Sequence, residues 1–186
     1  GDSELLVKVK EPVAPETELL RADHLLFSFL HLAAEPKLAR KLCDIGLTAV
    51  AFETVEEHGR LPLLAPMSDI AGRLAVHIGT TLLHQHNGGR GVLLGGLPAG
   101  ERGHVVVLGA GAAGGSAVTV AAALGARVTV FARSRQSLSR MHALGANITA
   151  LPSYGALLDA AVADADLLVG AVLVPGATAA MLVTEA

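Results

Sequence analysis

Tryptophan is absent from this chain of 186 residues, and there is one tyrosine, one cysteine and four phenylalanines. So few aromatics leave the core to be built from Ala, Val and Leu, the composition of helices laid over a parallel sheet. The lone Cys43 excludes an internal disulfide framework and fits a reducing compartment, which makes a cytoplasmic location the expectation. Within its helical pattern Cys43 reads as a small apolar filler. Charge is sparse too: 17% of residues are charged, the net charge is −3, and no Lys/Arg block occurs. That argues against a nucleic-acid partner. No stretch reaches the ~18 uninterrupted apolar residues of a membrane span. The amino terminus, Gly1-Asp2-Ser3-Glu4, is acidic, shows no signal-peptide pattern and lacks Met, so Gly1 is not expected to be the natural start.

What the chain does have is glycine, 21 residues of it, and three of these carry the clearest motif. An apolar run from His104 to Leu108 leads into Gly109-Ala110-Gly111-Ala112-Ala113-Gly114, and an Ala-rich helix follows. Strand, glycine turn and helix in this order form the dinucleotide fingerprint. Gly109 lets the chain turn off the strand. Gly111 leaves room for a pyrophosphate against the backbone, and Gly114 lets the helix approach the sheet. Ala112, Ala113 and Gly114 open the helix and offer their N–H groups to an anion.

The next strand reads Arg127 to Phe131, and the acid that usually binds the ribose hydroxyls would stand at its end. Ala132 stands there, followed by Arg133, Ser134 and Arg135. Two guanidiniums and a hydroxyl suit a 2′-phosphate, so NADP is favoured, with NAD the alternative. Another reading of the same residues is a solvated basic loop in which Ser134 caps the following helix.

Apolar periodicity and Gly/Pro punctuation outline the rest. Strands are expected at 5–10, 25–30 and 48–52, with a turn and short helix over 13–24 and a helix over 36–44 closed by Gly46. A long helix spans 70–83, capped by Ser68 or Asp69 and broken at Asn87-Gly88-Gly89. Beyond the fingerprint, helices at 112–124, 135–144 and 154–163 alternate with strands at 127–131, 147–150 and 167–172. The expected architecture is α/β. Two parallel-sheet lobes, with a cleft between them, are joined by a long helix, and the second lobe is a Rossmann-type unit. Residues 1–67 form a partial substrate lobe, 68–103 the helix and linker, and 104–186 the dinucleotide lobe with four strands of the usual six.

Functional groups collect at the carboxyl ends of parallel strands. Lys8 and Lys10 close the first strand, His31 the second and Glu53 the third. A Lys and a His at adjacent strand ends can grip a small carboxylate and hydrogen-bond a carbonyl oxygen. Equally, Lys10 can be a surface charge beside Glu11, and His31 a polar residue satisfied near the core. The remaining histidines lack zinc-site spacing, and His84 and His86 are expected on different sides of a helix, so no metal is expected.

Several runs carry a resemblance. Leu6-Val7-Lys8-Val9-Lys10-Glu11-Pro12, Phe27 to Ala34 (Phe-Ser-Phe-Leu-His-Leu-Ala-Ala), Leu61 to Ser68 (Leu-Pro-Leu-Leu-Ala-Pro-Met-Ser), Gly88 to Gly96 and Gly170 to Ala177 resemble those of bacterial alanine dehydrogenases. The resemblance covers essentially the whole chain. Transhydrogenase α-chains share the layout without the Leu-His-Leu-Ala element, so His31 favours the dehydrogenase branch. The resemblance implies reversible oxidation of L-alanine to pyruvate and ammonia with a nicotinamide cofactor, in a homo-oligomer, with an amino acid and a 2-oxo acid as small-molecule partners. It implies that Lys10 binds the substrate carboxylate and assists proton transfer, and that His31 hydrogen-bonds the carbonyl oxygen. Ser68 would contact the cofactor, Gly109, Gly111 and Gly114 would hold the pyrophosphate, and Val172 and Leu173 would lie beside the nicotinamide. It further implies that the family's substrate-gripping Arg falls before Gly1 and its catalytic Asp after Ala186, so both lobes are truncated. Two other readings stay open: a non-catalytic nucleotide-binding or assembly module, and a transhydrogenase-like hydride carrier.

Overall fold

A computed structural model describes residues 3–153, 155–174 and 181–183. The chain divides into two compact units, residues 1–66 with 174–180, and residues 67–173 with 181–186. Each is α/β, and every strand pair in both sheets is parallel.

In the first unit, β1 (Leu5–Val7), β2 (Leu25–Ser28) and β3 (Thr48–Ala51) form a sheet in sequence order. The crossovers carry α1 (Ala14–Thr17) and α2 (Pro36–Ile45). Pro36 opens α2, and Gly46 closes it at φ 78°, a left-handed cap that glycine adopts without strain. Leu42 faces a small core with Leu26 and Leu30. Cys43, one position round the helix from Leu42, is exposed, so it is not the apolar filler expected of it. β1 stops at Val7 rather than Lys10, although single main-chain bonds continue the pairing, from Lys8 N to Phe27 O (3.1 Å) and from Phe29 N to Val9 O (3.2 Å).

The second unit holds α3 (Ala65–Leu82), β4 (His104–Leu108), α4 (Ala112–Ala123), β5 (Arg127–Ala132), α5 (Arg135–His142), β6 (Ile148–Pro152), α6 (Gly155–Ala163) and β7 (Leu167–Gly170). Its strand order is β6-β5-β4-β7. The order reverses between β4 and β7, which is where open α/β sheets form their ligand crevice. β4 is buried along its whole length, with Val105, Val106 and Val107 each at 0% exposure. α4 buries one side, with Ala117, Val118 and Ala121 at 0% exposure, while Ala112, Thr119 and Ala123 are exposed.

α3 begins five residues earlier than the periodicity predicts, so Ser68 and Asp69 lie inside it and do not cap it. Pro66 falls in its first turn, where a missing N–H costs nothing. Gly72, Val76 and Gly79 make one face, and a Cβ on Gly72 would lie 2.0 Å from the Ala113 carbonyl oxygen of α4. Ser116 Oγ of α4 donates to Asp69 Oδ1 at 2.5 Å. α3 ends at Leu82, and His84 and His86 sit in the short turn beyond it with ring centroids 5.4 Å apart, not on opposite helix sides. Among the described residues no group of three or more His, Cys, Asp or Glu could hold a metal, and no helix is long and apolar enough to cross a membrane.

At the opposite end of the sheet from the glycine turn, the buried His104 is held from three sides. Its Nε2 lies 2.8 Å from Thr129 Oγ1, its Nδ1 3.1 Å from Asp164 Oδ2, and its main-chain N–H donates to Asp166 Oδ2 at 2.8 Å. Arg127 donates to Asp164 at 2.6 Å, and this hydrogen bond holds the Asp164 carboxyl below the usual carboxylate range. A carboxylate with a lowered folded pKa contributes stability above its unfolded pKa, about 3.9, and loses it as pH falls through the folded value. In Arg127→Gln the acid-side decline in the urea midpoint, starting below about pH 4, should therefore be shallower than in the parent. Gly114→Ala tests the packing. Alanine in a helix is ordinarily favoured by about 0.5–1 kcal/mol, but here its Cβ would lie 1.9 Å from the Gly109 carbonyl oxygen. Main chain cannot yield cheaply, so the variant should be less stable by roughly 1–3 kcal/mol, read from faster amide exchange of Val105 to Val107.

Candidate functional site

In the second unit the glycine turn joins β4 to α4. Gly109 takes φ 105°, and a Cβ there would lie 2.4 Å from the Ala171 carbonyl oxygen just past β7. Only glycine fits that position. Gly111 differs: its φ is −73°, which any residue adopts, and a Cβ there would meet nothing within 4 Å. Neither backbone strain nor a neighbour in the chain requires glycine here. It is the N-cap of α4, has no side chain to bond the first turn, and leaves the N–H groups of Ala112, Ala113 and Gly114 without partners among the described residues. An open helix N-terminus of this kind is able to hold an anion, and its residues fit a pyrophosphate.

Ala132 ends β5 with its methyl buried at 6% exposure. Arg133 and Arg135 are exposed and have no hydrogen-bond or ion-pair partner among the described residues. Ser134 caps α5, its Oγ accepting from Ser137 N at 3.1 Å and donating to Ser137 Oγ at 2.8 Å. The capping reading of Ser134 is therefore the one the geometry shows, and its hydroxyl is committed locally. Arg140, which sequence reasoning passed over, reaches back from α5 and donates to the Ala110 carbonyl at 2.6 Å, pinning the glycine turn. No local pattern signals that reach, because its partner lies 30 residues away in sequence.

Ser68 is half-buried on α3, next to the Asp69 that binds α4. β7 ends at Gly170, two residues short of the predicted limit, although Ala171 N still donates to Leu108 O at 2.8 Å. Val172 packs on the cluster of Val106, Leu108, Phe131 and Leu158, while Leu173 is exposed. Pro175 to Ala177 of the last resembling run lie outside the described residues, as does Tyr154 at the head of the helix predicted over 154–163.

In the first unit the strand ends gather Lys10, His31 and Glu53. Ser28, fully buried, shares its one hydroxyl proton between the Lys10 carbonyl at 2.8 Å and Phe29 O at 2.9 Å, so the Lys10 main chain is held beside β2. The two lysines part here. Lys8 is paired with Glu16, whose carboxyl is held below its ordinary range by the Lys8 ammonium first and the Val13 N–H second. Lys10 is exposed and has no partner among the described residues. His31 is exposed in the left-handed region at φ 49°, with its ring stacked on Phe29 (centroids 6.0 Å apart, 11° between planes).

The motif runs at both sites extend to the whole chain. Residues 1–71 match the alanine dehydrogenase/PNT N-terminal domain and residues 75–186 the alanine dehydrogenase/PNT C-terminal domain. The chain belongs to the alanine dehydrogenase/PNT family. It is similar to the alanine dehydrogenase of Bacillus subtilis, 47% identical over 99% of this chain and 49% of that protein. Against the alanine dehydrogenase of Mycolicibacterium smegmatis it is 48% identical, over 100% of this chain and 50% of that protein. A solved L-alanine dehydrogenase structure superposes with TM-score 0.86 at 50% identity, covering 98% of this chain and 51% of that one. The chain thus spans about half the length of the curated relatives it matches.

The family membership sharpens one test. Gly111→Val should leave the fold intact, costing roughly 1 kcal/mol for a poorer N-cap, yet fill the open helix N-terminus. Titration calorimetry should show dinucleotide binding in the parent and none in the variant. Equal affinity in both would remove the turn from the binding site.

Proposed function

We propose that this chain is a nucleotide- and substrate-binding portion of an alanine dehydrogenase-type oxidoreductase, catalysing reversible oxidative deamination of L-alanine to pyruvate and ammonia. The observation that carries the reading is Gly111, a glycine that nothing within the chain requires, placed at a helix N-terminus at the sheet's topological switch point. When bound, a nicotinamide dinucleotide supplies or accepts the hydride. Gly109 shapes the turn, and the N–H groups of Ala112, Ala113 and Gly114 neutralise the pyrophosphate. Ser68, Val172 and Leu173 are assigned to the same cofactor.

Lys10 and His31 act on the substrate. An unpaired ammonium beside a strand end binds a carboxylate, which supports Lys10 over the ion-paired Lys8 as the anchor. Lys10 also assists proton transfer to and from the substrate's nitrogen and oxygen atoms. His31 donates a hydrogen bond to the carbonyl oxygen of the 2-oxo acid, stabilising negative charge there as hydride moves. Assembly as a homo-oligomer belongs to the same reading. It is supported by the exposed stripe Ile70, Leu74, Ile78 and Leu82, spaced four apart along α3.

The cofactor is NADP in preference to NAD. Ala132 cannot accept hydrogen bonds from the ribose hydroxyls as a carboxylate would, a loss for NAD of about 1.5–3 kcal/mol, the worth of a hydrogen bond to a charged group. Arg133 and Arg135, unpaired at the same strand end, can reach a 2′-phosphate instead. Titrations at low salt should therefore show NADP binding more tightly than NAD, with the gap narrowing as salt rises. Ala132→Asp combined with Arg133→Leu should reverse the order. Equal affinity in the parent would mean that the two arginines are solvated and take no part. A chain that binds the cofactor but never reduces it in the presence of L-alanine would favour the non-catalytic module.

A further inference from the structure

His31 is oriented from its backbone side. Neither imidazole nitrogen has a hydrogen-bond partner among the described residues, so the only contact on the ring itself is its stack on Phe29. The main chain is held instead, by a carboxylate 22 positions along the sequence. Glu53 Oε1 accepts from His31 N at 2.6 Å and from Leu30 N at 3.2 Å, and Glu53 Oε2 accepts from Leu30 N at 3.2 Å. Leu30 is 1% exposed, so without this acceptor its N–H would have no protein partner and little water.

The clamp falls on a conformation that needs holding. At φ 49° His31 occupies the left-handed region, which a residue with a Cβ visits rarely and keeps only when its surroundings impose it. That conformation turns the chain off β2 and lays the imidazole parallel to the Phe29 ring. Phe29 in turn stands edge-on to Phe52 at 5.2 Å, and Phe52 is edge-on to Phe27 at 4.3 Å. Three of the chain's four phenylalanines are spent here. Phe52 and Glu53 are consecutive in the 3-10 turn that follows β3. One short turn therefore bears on His31 in two ways, directly through Glu53 on the main-chain amides and indirectly through Phe52, which packs against the Phe29 ring that stacks on the imidazole.

We propose that Glu53 is a positioning residue for His31, fixing the direction in which the imidazole presents its free nitrogens. The consequence for catalysis rests on the reading that His31 meets the 2-oxo acid. The clamp itself does not. A ring whose nitrogens are left open is available to a ligand, while a carboxylate placed on the backbone cannot compete with that ligand for the ring.

The test uses the isotope-labelled chain and three readouts: the nuclear Overhauser contact between the His31 and Phe29 rings, amide exchange at Leu30 and His31, and the response of the His31 ring signals to pyruvate as probe. In Glu53→Ala the ring contact should vanish and both amides should exchange at least about tenfold faster. Leu26 exchange should be unchanged. Glu53→Gln keeps an oxygen able to accept from both N–H groups, so it should restore the ring contact while His31 exchange stays a few-fold faster than in the parent. Where pyruvate shifts the parent ring signals, Glu53→Ala should weaken its apparent affinity about tenfold without changing dinucleotide affinity. An unchanged ring contact with unchanged exchange in Glu53→Ala overturns the proposal. If the alanine variant does not fold, unchanged His31 exchange in Glu53→Gln does so. If pyruvate fails to perturb His31 even in the parent, the substrate reading falls, and the ring contact still decides the clamp.

Discussion

The second unit is organised around main chain meeting main chain. Where α4 springs from the glycine turn, Gly114 brings its backbone so near the Gly109 carbonyl that a single methyl could not stand between them. Gly109 makes a comparable approach to Ala171, and Gly72 brings α3 onto α4 in the same way. These three contacts place the first-turn N–H groups of α4 at the reversal of strand order. Side chains contribute little to that placement. It follows from the absence of Cβ atoms at defined positions, which is why a chain poor in aromatics and charge can still build a well-defined, open helix N-terminus.

The first unit solves its problem by other means. Its sheet is small, and its strand ends are fixed by polar side chains turned inward onto the main chain: Ser28 onto the Lys10 carbonyl, Glu53 onto the amides of Leu30 and His31. Both hold main-chain groups, among them the amide of the buried Leu30, and both leave the terminal groups of Lys10 and His31 without partners among the described residues. The two units share a division of labour. The residues that hold the site touch backbone, and the residues assigned to ligands keep their polar atoms uncommitted.

Much of this was legible in the sequence, because alternating apolar runs and glycine or proline punctuation report local structure directly. The α/β class, the parallel sheets and the strand–turn–helix at Gly109 to Gly114 all came from such signals. Element limits were less legible. Nothing local distinguishes Lys10 from Val7 as the last residue of β1, since strand length depends on where the neighbouring strand continues to pair. α3 starts early because Pro66 is harmless in a first turn, a fact that marks a start and a break equally. The exposure of Cys43 and the proximity of His84 to His86 depend on which face of a helix is covered and on where that helix stops. Glu53 carried a partial signal, as the residue closing the third strand, but its acceptor role required knowing that His31 turns left-handed. Arg140 carried almost none.

The switch point also sets an order of assembly. β4 and β5 pair across one short crossover, Val105 against Val128, whereas β7 returns to β4 with Val105 against Leu167, after three helices and two strands have intervened. Closing the longer loop costs more chain entropy and waits for the shorter one. The main-chain contact of Gly109 with Ala171 therefore does not exist in the partly assembled chain. Any ligand that needs that junction binds only the finished sheet, and by mass action it would hold the last-docking strand in place.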